Sequence, residues 1–225
     1  MSRRRDPVND DVVAGAYPFL GYDAVGLGNQ DLINGIKFFK NKMNGKLPFV
    51  SCNIDFKDDD IKIDKYRIVE TTDGIRVGVT AVNYSTDFRH LYRTNTIKED
   101  EIEVSKAFDE LRPVLKELRK RSDLIVVLAN LNEAATARLL DDVDGYDMVV
   151  GGNNMTSYKF ARIVNNKIHV QPGRDGEKIG KSVFKINDDG DVEFSGYELI
   201  KVHARKGGYK RNEEIDKIII ELKNK

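Results

Sequence analysis

The chain has 225 residues, enough for one α/β domain with a substantial hydrophobic core. Basic and acidic residues number 37 each, so the net charge gives no reason to expect a nucleic-acid polymer or an acidic partner. No apolar run is long enough to span a bilayer, and the Arg-rich start lacks the apolar core of a signal peptide. We therefore expect a soluble chain that forms one domain over residues 1–225, with residues 1–8 flexible.

The first elements predict a helix and then a strand–turn–helix unit. Residues 9–20 show the apolar spacing of a short helix, and residues 23–27 resemble a buried strand that ends at Gly28. The helix after this turn has an apolar stripe formed by Leu32, Ile36, Phe39 and Met43. In such a unit the turn lies at the carboxyl end of the strand, where open α/β sheets keep their binding sites.

The next stretch predicts a strand, a loop and a hairpin. Residues 49–54 form an apolar strand-like run in which Cys52 is expected to be a buried structural thiol. Residues 55–64 predict an exposed loop, because their acids lack the glycine and terminal glutamate spacing of a calcium site. Residues 66–70 and 75–83 flank Thr72-Asp73-Gly74 and predict a β-hairpin.

The middle of the chain alternates helices and strands. A helix kinked at Pro113 is predicted for residues 102–121, followed by a nearly continuous apolar strand over residues 123–129. A helix over residues 133–143 and a strand over residues 147–150 come next. This alternation predicts parallel strands joined by right-handed crossovers.

Beyond Met155 the pattern changes to shorter alternating runs. We predict strands over residues 160–164, 168–171, 182–186 and 192–202, separated by turns at Asn165-Asn166 and Asp188-Asp189-Gly190. These strands are expected to form an antiparallel meander or a second sheet. An amphipathic helix then closes the chain, with one apolar face formed by Ile215, Ile218, Ile219 and Leu222.

Two stretches end an apolar run in glycine followed by amides: Gly21-Tyr22-Asp23-Ala24-Val25-Gly26-Leu27-Gly28-Asn29-Gln30-Asp31 and Val149-Val150-Gly151-Gly152-Asn153-Asn154-Met155. They resemble the 5′-nucleotidase branch of the calcineurin-like metallophosphoesterases, where the stretches read G-Y-D-A-x-x-x-G-N-H-E and I-x-G-G-H-x-H. Residues 73–80 and 171–180 are similar to two further segments of that family, in the same order. The resemblance implies an α/β fold with α+β elements, a layered sandwich of two β-sheets flanked by helices.

The resemblance also implies a cleft with two divalent metals, such as Mn or Zn, but most matching ligand positions have changed. Only Asn29 keeps its identity, while Gln30 replaces the catalytic histidine and Asp31 the acid beside it. Asn130 replaces the next ligand, and Asn153 and Met155 replace the final histidine pair. Amide and thioether groups are poor ligands for these metals, so we expect no cofactor and interpret the six positions as a vestigial cleft.

Other family features have no counterpart in the sequence. The opening strand, with the first two ligand motifs, is missing, whether by nature or by truncation. The three histidines, His90, His169 and His203, lie outside the ligand positions and are interpreted as ordinary histidines. Most family members are exported or surface-attached in bacteria, so the resemblance implies such an origin with the signal absent from this chain, and the compartment stays open.

Three functions remain open at this stage. The first is a non-catalytic pseudoenzyme domain for protein interaction or scaffolding, with a protein partner or a second copy covering strand edges left by the missing strand. The second is a hydrolase of nucleotides or other phosphate esters with a site rebuilt from Asn29 and from Asp31, Asp87 or Asp147. The third is metal-independent binding of a nucleotide or sugar phosphate through the cleft amides, which otherwise satisfy one another. The lost ligands favour the first, so enzymatic activity is not expected.

Overall fold

The computed structural model describes residues 7–153, 156–174, 176–187, 191–202 and 212–223. Within these ranges its helices are α1 (Pro7–Ala16), α2 (Ile36–Lys42), α3 (Arg89–Arg93), α4 (Ala107–Leu118), α5 (Glu133–Asp142) and α6 (Glu213–Lys223). Its strands are β1 (Val25–Gly26), β2 (Phe49–Val50), β3 (Ile54–Phe56), β4 (Tyr66–Glu70), β5 (Arg76–Asn83), β6 (Ile102–Val104), β7 (Leu124–Asn130), β8 (Met148–Gly151), β9 (Arg162–Val164), β10 (Lys167–Val170), β11 (Lys178–Ile186) and β12 (Val192–Lys201).

A six-stranded sheet with the order β4-β5-β7-β8-β10-β9 forms the centre of the fold. Strands β5, β7, β8 and β10 are parallel, and the two outer strands run antiparallel to their neighbours. The register pairs Ala81 with Leu128 and Asn83 with Asn130, so β5 and β7 end at the same level. The carboxyl ends of the parallel strands therefore form one edge, as the β-α-β alternation predicted.

Helices α4 and α5 cover one face of this sheet. The leucines Leu111, Leu115 and Leu118 lie one turn apart along α4 and are buried in one cluster with the strand residues. The strands contribute the alternate side chains that point to this side, Ile125, Val127, Ala129 and Val149. Every one of these four side chains is buried, so the middle of this face is covered.

Two small sheets lie on the opposite face. The parallel pair β1–β2 lies at one side, where a Cβ on Gly26 would be 3.2 Å from the Cβ atoms of Ala81 and Leu128. The antiparallel hairpin β11–β12 lies at the other side and packs against Met148, Ile168 and Val170 through the aromatic side chains Phe184, Phe194 and Tyr197. The layered α/β architecture expected from the sequence is therefore confirmed.

The main differences from the sequence-based expectations lie in three regions. Residues 102–104 form strand β6, paired antiparallel with β3, and the helix begins only at Ala107. The strand expected over residues 49–54 is split into β2 and β3. Between them the Cys52 N–H donates to the Ala81 carbonyl of β5, so the chain changes its pairing partner there. Strands β9 and β10 join the central sheet, and β10 runs parallel to β8 instead of forming a separate meander.

Several smaller expectations are confirmed. Cys52 is buried, and burial raises the pKa of its thiol to about 12. Asn165 and Asn166 both adopt left-handed backbone angles, as the predicted turn between β9 and β10 requires. Residues 1–6 and the predicted turn at residues 188–190 lie outside the described residues, and α1 begins at Pro7. No helix in the described ranges is long and apolar enough to cross a membrane.

Candidate functional site

The turn after β1 brings the first candidate residues to the carboxyl edge of the sheet. Gly28 ends the strand, and a single 3-10 turn spans Asn29–Leu32. The Gly28 N–H donates to Asp31 Oδ2 at 2.8 Å, which fixes this carboxylate beneath the turn. A Cβ at position 28 would lie 2.9 Å from Asn130 Nδ2, so any larger residue there would displace the Asn130 amide.

Side-chain amides from three elements bond to one another at this edge. Asn130 Nδ2 donates to Asn83 Oδ1 at 2.7 Å and reaches Asn29 Oδ1 at 3.4 Å. Asn29 Nδ2 in turn donates to the Asp87 carbonyl at 3.0 Å. The amides predicted as vestigial ligands thus act as partners for each other.

Asn83 is the centre of this network, although the sequence analysis did not identify it. Its Nδ2 donates to the Leu27 carbonyl at 2.9 Å and to Ser51 Oγ at 3.2 Å, and the side chain is fully buried. The buried Asn53 side chain donates from its Nδ2 to the Asn83 carbonyl and accepts at its Oδ1 from the Asn83 N–H. The available signal was that Asn83 and Asn53, like Asn130, are asparagines that follow an apolar run.

Asp87 bridges the two halves of the cleft. Its backbone carbonyl accepts from Asn29, and its Oδ2 accepts from Asn153 Nδ2 at 2.8 Å. Burial raises the pKa of the Asp87 carboxyl, and the hydrogen bond from Asn153 partly opposes that rise. Asp87 therefore serves as an acceptor for amides from both stretches that carry the sequence resemblance.

A cavity of about 400 Å³ lies above these side chains. Its lining includes the polar side chains Gln30, Asp31 and Arg174 and the apolar side chains Leu128 and Val150. Gln30 Oε1 is buried, and the described residues supply it with no hydrogen-bond partner. Burial raises the pKa of Asp31 to about 6, against the opposing effect of the Gly28 N–H, so this carboxyl titrates near neutral pH.

The structure brings five of the six predicted cleft residues together. Asn29, Gln30, Asp31, Asn130 and Asn153 all line the cavity, whereas Met155 lies outside the described residues.

The remaining candidates lie elsewhere. Asp147 lies at the amino end of β8, where it accepts from the Ile125 N–H and pairs with Arg119. His90 is exposed, His169 is buried edge-on against the Tyr158 ring, and His203 lies outside the described residues. Of the three carboxylates considered for a rebuilt site, Asp31 and Asp87 are near Asn29 and Asp147 is not.

The donor set at this edge does not fit two divalent metals. Asp31 Oδ2 accepts from Gly28, Asp87 Oδ2 accepts from Asn153, and the other polar side chains of the lining are amides and the Arg174 guanidinium. Among the described residues, no group of three His, Cys, Asp or Glu side chains is placed to hold a metal ion. Manganese and zinc sites need carboxylate, imidazole or thiolate ligands, so we derive no metal-dependent step here.

Several solved structures are similar to this fold. The 5′-nucleotidase precursor from Thermus thermophilus has a TM-score of 0.75 at 20% identity, covering 97% of this chain and 46% of its own. The NAD nucleotidase from Haemophilus influenzae has a TM-score of 0.69 at 14% identity, with 96% and 48% covered. The calcineurin-like phosphoesterase YfkN from Bacillus subtilis has a TM-score of 0.68 at 16% identity, with 98% and 74% covered.

These similarities concern structure alone. No protein-family model matches the sequence. No curated protein matches it either. The chain spans less than half the length of the two nucleotidases. At these identities the similarity shows the fold, and it confirms at that level the resemblance that the two motif stretches predicted.

Proposed function

We propose, from the premise that the chain has the fold of the 5′-nucleotidases and calcineurin-like phosphoesterases, that it is a non-catalytic domain of this type acting in protein interaction. One observation carries the proposal: the polar side chains at the carboxyl edge are hydrogen-bonded to one another. Asn29, Asn83 and Asn130 form a linked set, and Asp87 joins it to Asn153. Their donors are directed at protein acceptors.

Rebuilding a metal site would require breaking this set. To expose its Oδ1 to a metal, Asn83 would have to release Asn130, whose partly buried Nδ2 would keep only the longer 3.4 Å contact to Asn29 Oδ1. A buried polar group that loses its hydrogen bond costs about 1–3 kcal/mol. A bond from an amide oxygen to the metal would offset little of this cost, because amide oxygens are weak ligands for these metals. Gln30, which stands at the position of the family's catalytic histidine, cannot titrate near neutral pH and so cannot act as a general acid or base.

The experiment that tests this proposal is metal stoichiometry combined with a hydrolysis assay. The full chain is incubated with manganese, zinc or iron, desalted and submitted to elemental analysis, and hydrolysis of p-nitrophenyl phosphate and nucleoside monophosphates is measured in parallel. We expect no stoichiometric metal and no saturable hydrolysis. One or two bound equivalents that disappear, together with activity, in Asn29→Ala would overturn the proposal. Asn44→Ala is the matched control, because the Asn44 side chain bonds only the exposed Asp60 carbonyl.

A second candidate is metal-independent binding of a nucleotide or sugar phosphate. The observation that favours it is the 400 Å³ cavity, a size typical of small-molecule sites, with Gln30 and Arg174 in its wall. In this case a nucleoside monophosphate should raise the melting temperature of the chain in the presence of a metal chelator. Gln30→Leu should remove that rise, and Asn44→Ala should keep it. If the melting temperature does not change at millimolar ligand, this candidate fails.

A further inference from the structure

The face of the central sheet opposite α4 and α5 has a stripe that the rest of the described chain covers incompletely. It lies on the interior strands β5, β7 and β8, where parallel sheets are normally buried on both faces. The registers pair Val79 with Val126 and Leu128 with Val150, so the stripe is continuous from strand to strand. Its members, all only partly buried, are Val77, Val79, Val126, Leu128 and Val150.

The stripe is flanked by the two small sheets on this face. Strand β2 approaches β5 and the residues before β4, since Cys52 donates to Ala81 and Val50 forms a bridge with Asp64. Strand β1 lies further along the central sheet, with Gly26 over Ala81 of β5 and Leu128 of β7. The aromatic side chains of hairpin β11–β12 lie further still, in a cluster with Met148 and Ile168, and Val126 and Val150 of the stripe pack partly against the same cluster. The free edge of β1 therefore points towards the hairpin, across Leu128 and Val150.

That edge of β1 has unpaired backbone groups. Val25 and Leu27 donate to the Pro48 and Val50 carbonyls of the β2 side. Because backbone groups alternate along a strand, the N–H and C=O of Gly26 point to the opposite side. No described residue pairs with them, since β1 has β2 as its sole neighbour within the described part of the chain.

The hairpin β11–β12 also has strand edges whose backbone groups lack a strand partner among the described residues. Within the described residues, β11 and β12 pair with each other and with no third strand, so both of their outer edges are open. Whichever of these edges faces β1, it offers backbone donors and acceptors along nine or ten residues. The stripe is thus bordered on both sides by backbone that lacks a strand partner.

We propose that this stripe is a docking site for one extended β-strand of a partner polypeptide. The strand would pair with the Gly26 edge of β1 and place alternate apolar side chains on Leu128 and Val150. This inference rests on the proposed function, because it names the surface through which a non-catalytic domain would interact. The occupant is set by two requirements that the site imposes together: backbone hydrogen bonds for the open edges and apolar side chains at every second residue for the stripe.

Other occupants satisfy only one of these requirements. A helix has no free backbone N–H and C=O groups along its length, so it would cover the valines and leave Gly26 unpaired. A small apolar molecule would do the same. Because Gly26 has no side chain, β1 lies close to β5 and β7. A strand added beside β1 would therefore lie in the same layer, directly over the central sheet.

The test supplies such a strand to the full chain by fusion. A segment of seven residues that alternates threonine and valine is joined to the N-terminus through a flexible Gly/Ser linker of 20 residues, whose mean span is about 25 Å. The tether gives an effective concentration in the millimolar range, so weak pairing becomes measurable. We expect the melting temperature to rise by about 4 °C. We also expect amide exchange of Gly26 to slow about tenfold, while Leu27, already bonded to Val50, is unchanged.

Two controls separate strand pairing from other effects of the fusion. A segment of the same composition with its valines in one block should give neither change, because it cannot match the period of two. Val150→Thr, where the added strand is placed, should reduce the rise in melting temperature, whereas Val183→Thr, an exposed valine of the hairpin, should not. Both substitutions keep the side-chain shape and add one hydroxyl, so the rise of each variant is measured relative to the same variant without the fused segment.

Three results would overturn the inference. The first is an equal melting temperature for the alternating and the block segments. The second is a rise that leaves Gly26 exchange unchanged. The third is a free chain that is dimeric by light scattering with Gly26 already protected, which would make a second copy the occupant. None of these results depends on metal or hydrolysis, so a failure of the inference is distinguishable from a failure of the proposed function.

Discussion

The two faces of strand β7 differ in how completely they are covered. On the helix side, Ile125, Val127 and Ala129 are buried among the leucines of α4 and α5. On the other side, Val126 and Leu128 are only partly buried, beneath a two-residue strand and the side of a hairpin. The side chains of β7 are therefore fully covered on one face of the strand and only partly covered on the other.

This difference separates the stability of the fold from its candidate function. The helix face contains one of the buried clusters that hold the domain together, and a similar arrangement is compatible with many functions. The opposite face and its carboxyl edge contain the features that are specific to this chain: the amide network, the cavity and the open strand edges. Substitutions on the two sides should accordingly differ in what they change.

The largest expected effect compares two leucines on the two faces. Leu139→Ala on α5 removes a fully buried side chain from the helix-side core and should lower the free energy of unfolding by about 3 kcal/mol. Leu128→Ala, on the partly exposed face, should lower it by about 1 kcal/mol, because water already reaches part of this side chain. Urea unfolding of both variants measures the difference. Equal losses would show that the second face is covered as completely as the first.

The next effect concerns the amide network. Asn83→Ala removes an acceptor used by Asn130 and the donor to Leu27 and Ser51, all in a buried setting. We expect the free energy of unfolding to fall by about 2 kcal/mol, measured by urea unfolding. Asn44→Ala, which loses one exposed hydrogen bond, should stay close to the parent chain. A negligible loss for Asn83→Ala would mean that the network does not hold the cleft together.

The third effect is a pH dependence that arises from Asp31. Its folded pKa of about 6 is above the ordinary value, so the folded state binds more protons than the unfolded state between about pH 4 and pH 6. The stability that this proton gives is fully present below pH 4 and is lost as the pH rises through 6. Because the carboxyl keeps some contact with solvent, we expect a loss of about 1 kcal/mol.

Asp31→Asn isolates this contribution. The variant has no titrating group at position 31 and can still accept from the Gly28 N–H. Its stability relative to the parent should therefore increase between pH 4 and pH 7, as followed by thermal unfolding at each pH. If the difference in stability between the two chains stays constant over this range, the pKa of Asp31 is not raised. The carboxyl would then be more hydrated than its surroundings in the turn indicate.

Much of the fold could be predicted from local sequence pattern. The continuous apolar run at residues 124–129 correctly indicated a strand, although its predicted cover on both faces is complete on the helix side alone, and the alternation at residues 75–83 indicated a hairpin strand. Residues 102–104 were wrongly placed in a helix, because three residues are too few to show a period. Their strand state depends on pairing with β3, which lies almost 50 positions away in sequence.

The candidate site was predictable where a motif contained it and not elsewhere. Asn29 and Asn130 follow glycine or an apolar run in a recognisable order, and they do meet at the cleft. Asn83 and Asn53 were missed because an asparagine at the end of a strand also suits a turn. Their role depends on partners at least 30 residues away, and that information is absent from any local window.

The smallest expected effect tests the outer wall of the cleft. Asn153→Ala removes a single hydrogen bond, from its Nδ2 to Asp87 Oδ2, at an exposed position. We expect the free energy of unfolding to change by less than about 0.5 kcal/mol. The pKa of Asp87 should rise, because this hydrogen bond opposes the effect of burial, and NMR titration of the carboxyl would follow it. A loss comparable to that of Asn83→Ala would mean that the cleft wall is part of the stable core, and the contrast between the two faces would no longer hold.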